Sequence, residues 1–311
     1  MTTVLTKNNH KKDMDYAKVF GTMIQETQKY LESNNLQAMI LGISGGLDST
    51  VTAAICHEVE KRNPELRFFG ISLPCSSNTN EENDSATQCM KAFCKEGQYW
   101  TENLQKEYML MRATCSQRHL MTTIGQGNIK ARLRMTYLYN EANYFKGLVM
   151  DTDNLTEHYL GFFTIHGDVC DYNPIGGLWK HEVYELAEFI RDYYKYENGV
   201  LNTKKVHALD AVLRIHPTDG NGVNDLGDMG QIAPAFAHDK NIDAYTKVDD
   251  ILKTYLTYRE GHPKEVKDSV MEALYNEYGK ETVDGVIYRM KRTEYKRKGL
   301  PVVIDRKLYN N

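Results

Sequence analysis

Ser44-Gly45-Gly46-Leu47-Asp48-Ser49 is where residue type and spacing in this chain point most plainly to chemistry. The segment follows an apolar run, Ala38 to Ile43, and precedes residues with helical spacing. It therefore reads as the turn between a buried strand and a helix. Adjacent glycines let the backbone approach a ligand with no Cβ in the way. The N–H groups after Ser44 then form an anion nest at a helix N-terminus, and the stretch Gly42, Ile43, Ser44, Gly45, Gly46, Leu47, Asp48, Ser49 becomes the wall of a phosphate site. Ser44 and Ser49 add hydroxyl donors. Asp48 is a carboxylate where phosphate would repel it, which makes sense if it holds a divalent cation that bridges phosphate oxygens. Neither the Walker pattern nor the G-x-G-x-x-G dinucleotide pattern fits this turn.

Further candidates lie downstream. Gly127 to Met135 carries Lys130, Arg132 and Arg134; on a helix Lys130 and Arg134 share a face and Arg132 points elsewhere. Asp151-Thr152-Asp153 follows the apolar triplet Leu148-Val149-Met150, with Glu157 five residues beyond Thr152. A threonine hydroxyl at a strand end and a glutamate at that distance can supply a nucleotide contact and a second metal ligand. Lys180 enters a helical stretch after the Gly176-Gly177 turn and is placed to meet phosphate. Asp153 is either a working carboxylate or a loop cap.

The elements that must position these residues alternate along the chain. Apolar runs at 38–43, 67–73 and 148–150 read as strands, and helical spacing covers 13–34, 47–62, 80–96, 103–122, 126–145 and 180–197. That pattern predicts an α/β fold of three layers, a mostly parallel sheet with helices on both faces, which binds ligands at the carboxyl ends of its strands. Residues 206–215 are ambiguous, and 217–241, rich in Gly and Asp without periodicity, reads as a long loop and a candidate lid. The polar stretch 1–12 reads as a flexible tail and 13–311 as a single domain. A net charge of -4 lacks the footprint of a nucleic-acid binder, so any polyphosphate must be held by local groups. No apolar run reaches a membrane span and no secretory leader is visible. With six cysteines and no C-x-x-C pair, the chain reads as a cytoplasmic protein with buried free thiols.

The glycine turn resembles the pyrophosphate loop of the ATP pyrophosphatase superfamily, and the downstream segments, in their order and spacing from Arg132 to Thr152, Glu157 and Lys180, resemble the ammonia-dependent NAD synthetases over about residues 14–305. The resemblance implies an adenine nucleotide alpha hydrolase-like fold and a ligase that forms C–N bonds. It implies ATP-dependent amidation of deamido-NAD with ammonia through an adenylate, in a homodimer that binds deamido-NAD near the subunit interface. It also implies roles. Ser44, Gly46, Ser49 and Lys180 would bind ATP phosphates, Thr152 and Thr218 would contact ATP, and Asp48 and Glu157 would hold Mg2+. Arg132, Asp171, Tyr295 and Lys296 would contact deamido-NAD, and Asp48 and Lys180 would act in catalysis; a carboxylate such as Asp153 or Asp168 could take the proton that ammonia loses. Two positions depart from the family pattern: Ile165 stands where many members carry lysine, and Tyr295 where a histidine often precedes the C-terminal lysine. The alternatives are another enzyme of the superfamily, acting on a different carboxylate or carbonyl, and a nucleotide-binding regulatory protein without catalysis.

Overall fold

A computed structural model describes residues 14–75, 78–196, 201–215, 227–259 and 261–299. The segment 1–12 and Thr218 lie outside them. Four parallel strands form one sheet in the order β3-β2-β1-β4: β1 (Ala38–Gly42), β2 (Arg67–Ser72), β3 (Tyr99–Thr101) and β4 (Gly147–Val149). The order is set by two steps outward from β1 and a return to its other side. β1 and β4 therefore flank the point where the winding reverses, and the loops that leave them open a crevice at their carboxyl ends.

β1 has no polar face because helices cover it twice. Met39, Leu41 and Ile43 belong to the larger core, which also takes buried residues of α1 (Tyr16–Ser33), α2 (Leu47–Arg62), α3 (Asn80–Phe93), α7 (Lys180–Lys195), α8 (Thr203–Arg214) and α10 (Asn241–Tyr258). Ala38 and Ile40 point the other way, into a cluster with Tyr108 of α4 (Gln105–Cys115) and Leu138 and Ala142 of α5 (Thr123–Tyr144). The period of two along a strand thus feeds two cores, and the continuous apolar run in the sequence is its signature. Gly147 is required where β4 meets β1, because a Cβ there would lie 2.4 Å from the Ala38 carbonyl oxygen.

The later elements are α6 (Leu155–Leu160), α9 (Gly227–Ile232), α11 (Lys264–Tyr278) and α12 (Lys280–Arg292). Three sequence expectations change here. β3 was not read, because three paired residues are too few to show a pattern. α6 was not read either, although its Asn154-x-x-Glu157 capping box is a sequence signal. The stretch 217–241 is not one long loop: α9 and a 3-10 turn, Pro234–Phe236, occupy part of it, held by burial of Met229, Ile232 and Phe236. Tertiary packing overrode the missing periodicity. All six cysteines are free; Cys115 is exposed, against the expectation of burial. Among the described residues no helix is long and apolar enough to cross a membrane.

Ile40, fully buried on the central strand, gauges the smaller core. Ile40→Ala should lower stability by about 2–5 kcal/mol, read from the shift of the urea unfolding midpoint.

Candidate active site

The first loop is shaped by a backbone that only glycine fits. Gly45 has a φ of +87°, and a Cβ on it would lie 2.1 Å from the Glu82 carbonyl oxygen of α3. Ser85, also on α3, donates to the Gly45 carbonyl at 2.8 Å and locks the turn. Gly46 opens α2 and offers no side-chain acceptor, so capping does not consume the N–H groups of the first turn. These groups are the anion nest that the sequence implied. Ser44 Oγ accepts from Gly46 N–H at 3.2 Å and lies 3.0 Å from Ser49 Oγ, so both hydroxyls sit at the rim of the nest.

The second loop, after β4, is organised by Asp151. Its carboxylate accepts the N–H groups of Asp153 and Cys170, each at 2.7 Å, and the Asn173 amide at 2.8 Å. A buried carboxylate with these partners shapes a loop and is not available for chemistry. Asp153 differs: its Oδ2 is buried without a hydrogen-bond partner. Burial, then the charges of Asp151, Glu157, Asp168 and Asp48, push the Asp153 pKa well above the usual carboxylate range.

Asn154 joins the two loops. Its Oδ1 accepts from Glu157 N–H and Glu157 Oε2 accepts from Asn154 N–H, both at 3.1 Å, while its Nδ2 donates to Asp48 Oδ1 at 3.1 Å. The cap of α6 therefore sets the Glu157 and Asp48 carboxylates beside each other. Between them sits the ammonium of Lys180, hydrogen-bonded to Asp48 Oδ2 and 3.6 Å from Glu157 Oε1. Lys180 is 3% exposed. Burial works against its charge, but Asp48 and Glu157 outweigh it and hold its pKa above the ordinary lysine value. For Glu157, burial comes first and the charge of Asp48 adds to it; together they overcome Lys180 and push its pKa up to about 8.

These groups line a cleft of about 610 Å³, of the size that holds a nucleotide-like ligand. Gly42 to Ser49, Thr152, Asp153, Glu157, Lys180, Tyr295 and Lys296 all border it. Two predicted residues do not. Arg132 is exposed and donates to the Ile165 carbonyl at 3.1 Å, and Asp171 accepts from Tyr139 OH at 2.8 Å and Val149 N–H at 2.9 Å. Lys296 reaches the cleft from the C-terminal region, donating to the Gly161 carbonyl at 2.8 Å and to the Phe163 carbonyl. Burial and Arg289 lower its pKa.

Sequence reading missed Asn154 as the bridge between loops, and it gave no role to Arg134, Arg289 or Arg292, which also border the cleft. Arg134 donates to the Leu73 carbonyl and to Asn78 Oδ1, each at 3.0 Å, and so braces the loop after β2. The spacing 289, 292, 296 was the available signal in the sequence for the C-terminal cations, although α12 ends at Arg292 and Lys296 lies in a 3-10 turn beyond it. Among the described residues no group of three or more His, Cys, Asp or Glu is arranged to hold a metal ion. The pair Asp48 and Glu157 offers oxygen donors only, which suits Mg2+, an ion that takes one or two carboxylates and completes its shell with water and phosphate.

A parallel sheet with a glycine turn on one side of its switch point and an acidic loop with a buried lysine on the other makes an α/β fold with its cleft where such sheets bind ligands. The family model described as NAD synthase matches residues 19–201, and the chain belongs to that family, whose members are ATP-using ligases of NAD biosynthesis. The chain is 29% identical over 280 residues to the NH(3)-dependent NAD(+) synthetase of Campylobacter jejuni, covering 88% of this chain and 97% of that relative. It is 29% identical over 294 residues to the protein of the same name from Methanosarcina acetivorans, covering 93% and 98%. In fold it is similar to the NMN synthetase of Francisella tularensis, with a TM-score of 0.70 and 20% identity over 94% of this chain and 100% of that one. It is also similar to the NH3-dependent NAD synthetase of Campylobacter jejuni solved with nitrate, with a TM-score of 0.64 and 24% identity over 94% and 100%.

Folding raises the Glu157 pKa, so the folded protein retains a proton that the unfolded chain releases. The stability tied to that proton is whole below about pH 4.5, the ordinary value, and is lost as pH climbs to about 8. Thermal melts of the nucleotide-free protein should show a midpoint that falls across this window. Glu157→Gln should flatten that part of the fall, and equal slopes in both proteins would exclude Glu157 as its source.

Proposed function

We propose that the chain amidates the nicotinate carboxylate of deamido-NAD, using ATP and ammonia and releasing NAD, AMP and pyrophosphate. The observation that carries this reading is the Lys180 ammonium held between Asp48 and Glu157 at the mouth of the glycine nest. In the first step a carboxylate oxygen attacks the α-phosphorus of ATP and the bond to the β-phosphate oxygen breaks. In the second, ammonia adds to the acyl carbon, AMP leaves, and the nitrogen sheds a proton. Ammonia alone cannot displace oxide from a carboxylate; the adenylate provides a leaving group.

The reaction needs alignment and charge neutralisation more than a protein nucleophile. The N–H groups of the nest, the hydroxyls of Ser44 and Ser49, and Lys180 would bind the departing phosphates. Thr152, in the loop after β4, would contact the nucleotide, as would Thr218. Asp48 and Glu157 would hold Mg2+, which neutralises charge on phosphate oxygens when bound. Asp153 has an oxygen without a partner and a raised pKa, the properties of a group that must receive a proton as nitrogen adds. Tyr295 and Lys296 would meet the acceptor inside the cleft. Arg132 and Asp171 sit outside it, engaged by Ile165 and by Tyr139 and Val149, so this reading gives them no acceptor contact.

A second reading changes only the acceptor. The fold likeness to an NMN synthetase is the higher of the two TM-scores quoted, 0.70 against 0.64. Ile165 also supplies no cation for a second phosphate. In that reading nicotinate mononucleotide replaces deamido-NAD and the chemistry is unchanged.

Steady-state assays with ATP, Mg2+ and ammonium and each acceptor in turn decide between them. The expected result is a higher kcat/KM for deamido-NAD; a preference for the mononucleotide of about tenfold, roughly 1.4 kcal/mol of transition-state binding, would transfer the assignment. With the preferred acceptor, Asp48→Asn and Lys180→Ala should each lower turnover by about two orders of magnitude or more, with native circular dichroism. A near-wild-type rate for Asp48→Asn at saturating Mg2+ would remove the metal role. Release of AMP and pyrophosphate without dependence on either acceptor would point instead to a different substrate.

A further inference from the structure

The roles above use α6 and α7 for the groups they present and leave open what holds the starts of these helices side by side. α7 begins after Trp179, whose side chain has no acceptor oxygen for the first turn. Buried N–H groups at a helix start need partners, and here they come from distant parts of the chain. Lys180 N–H donates to Thr156 Oγ1 at 2.9 Å, and His181 N–H donates to Asp249 Oδ2 at 3.0 Å. The Thr156 hydroxyl donates to Asp249 Oδ1, and His181 Nδ1 lies 2.7 Å from Asp249 Oδ2.

Asp249 is fully buried on α10. Its two oxygens take one bond from the residue beside Glu157 and two from the residue beside Lys180. Its charge also lies at the N-terminus of α7, where the helix dipole favours an anion. The grip continues along α10. Lys253 Nζ lies 2.9 Å from Glu182 Oε1 and 3.3 Å from His181 Nε2, and Glu182 Oε2 accepts from Trp179 N–H at 2.9 Å. One helix far along the chain therefore fixes the first turn of α7 against α6.

We propose that Asp249 is a positioning residue for Mg·ATP: by anchoring Thr156 and His181 together it sets the separation of the Glu157 carboxylate and the Lys180 ammonium. The proposal rests on Lys180 as a phosphate ligand. Asparagine does not reproduce the arrangement: with its oxygen toward His181 its NH2 group faces Thr156, and the Thr156 hydroxyl loses the acceptor it donates to. Removing the Thr156 hydroxyl breaks the arm to α6 and takes the acceptor from Lys180 N–H, and it leaves the bonds from His181 to Asp249 intact.

The test reads Mg·ATP affinity by isothermal titration with no nicotinate acceptor present, in the full chain. Asp249→Asn and Thr156→Val should each weaken binding about tenfold or more, as loss of a buried hydrogen bond to a charged group does. Thr156→Ser, which keeps the hydroxyl, should stay within about threefold of wild type. In the Lys180→Ala background, adding Asp249→Asn or Thr156→Val should cost less than about threefold, because the ammonium they position is gone. Unchanged affinity in Thr156→Val, or losses that multiply in full with Lys180→Ala, would overturn the proposal. If Asp249→Asn does not fold, the Thr156 variants and their Lys180→Ala doubles decide alone. A wild-type protein that binds Mg·ATP but amidates neither acceptor would overturn the proposed reaction and leave this test readable.

Discussion

The buried contact of Lys180 with Asp48 and Glu157 is the constraint on which the rest of the site depends. A lysine 3% exposed cannot remain charged without partners, and two carboxylates side by side cannot both remain charged without a cation. Each group makes the others tolerable. The three come from three helices, α2, α6 and α7, so the contact also fixes how these helices start. Asn154 does the same with neutral hydrogen bonds, capping α6 and reaching Asp48 in one side chain. An arrangement that gathers charge where the sheet opens is costly unless a polyanion and its cation complete it, which is the physical content of the ATP reading.

The fold supplies the convergence. Parallel strands covered on both faces bring all their carboxyl ends to one edge, and the reversal of winding between β1 and β4 leaves a gap there. The loop after β1 contributes backbone donors and the loop after β4 contributes acids. Neither loop is a site alone. Membership of the NAD synthase family agrees with this division: the matched residues, 19–201, include both loops and Lys180. The C-terminal cations lie beyond the matched span. Lys296 and Arg297 donate to carbonyls around the end of α6, and Gly161 packs so tightly on Thr293 that a Cβ would approach to 2.4 Å. The end of the cleft bordered by Tyr295 and Lys296 is thus built from chain far from the glycine turn.

Asp249 illustrates a more general point. Nothing near it in sequence suggests chemistry: Val248-Asp249-Asp250-Ile251 lies on an amphipathic helix, where an aspartate usually faces solvent. It is buried because the N-termini of two helices converge on it, and a carboxylate is the simplest group that can accept from both.

The sequence by itself determined the strand that enters the glycine turn, the turn itself, and the presence of Asp48, Glu157 and Lys180 at family spacing. These are local properties, governed by apolar periodicity, backbone conformation and motif order. It showed the three main strands and most helices before β4 and α7, because each carries its own pattern over enough residues. Only the tertiary structure decided which charges meet. Helical spacing already set Arg132 apart from Arg134, two residues on along α5, but the fold decided that Arg134 and not Arg132 borders the cleft. Asp151 and Asp153 are equally close, yet one organises a loop and the other keeps an oxygen without a partner. The packing of α9 and the burial of Asp249 were likewise beyond local reading, because long-range contacts, not neighbours in the chain, satisfy those groups.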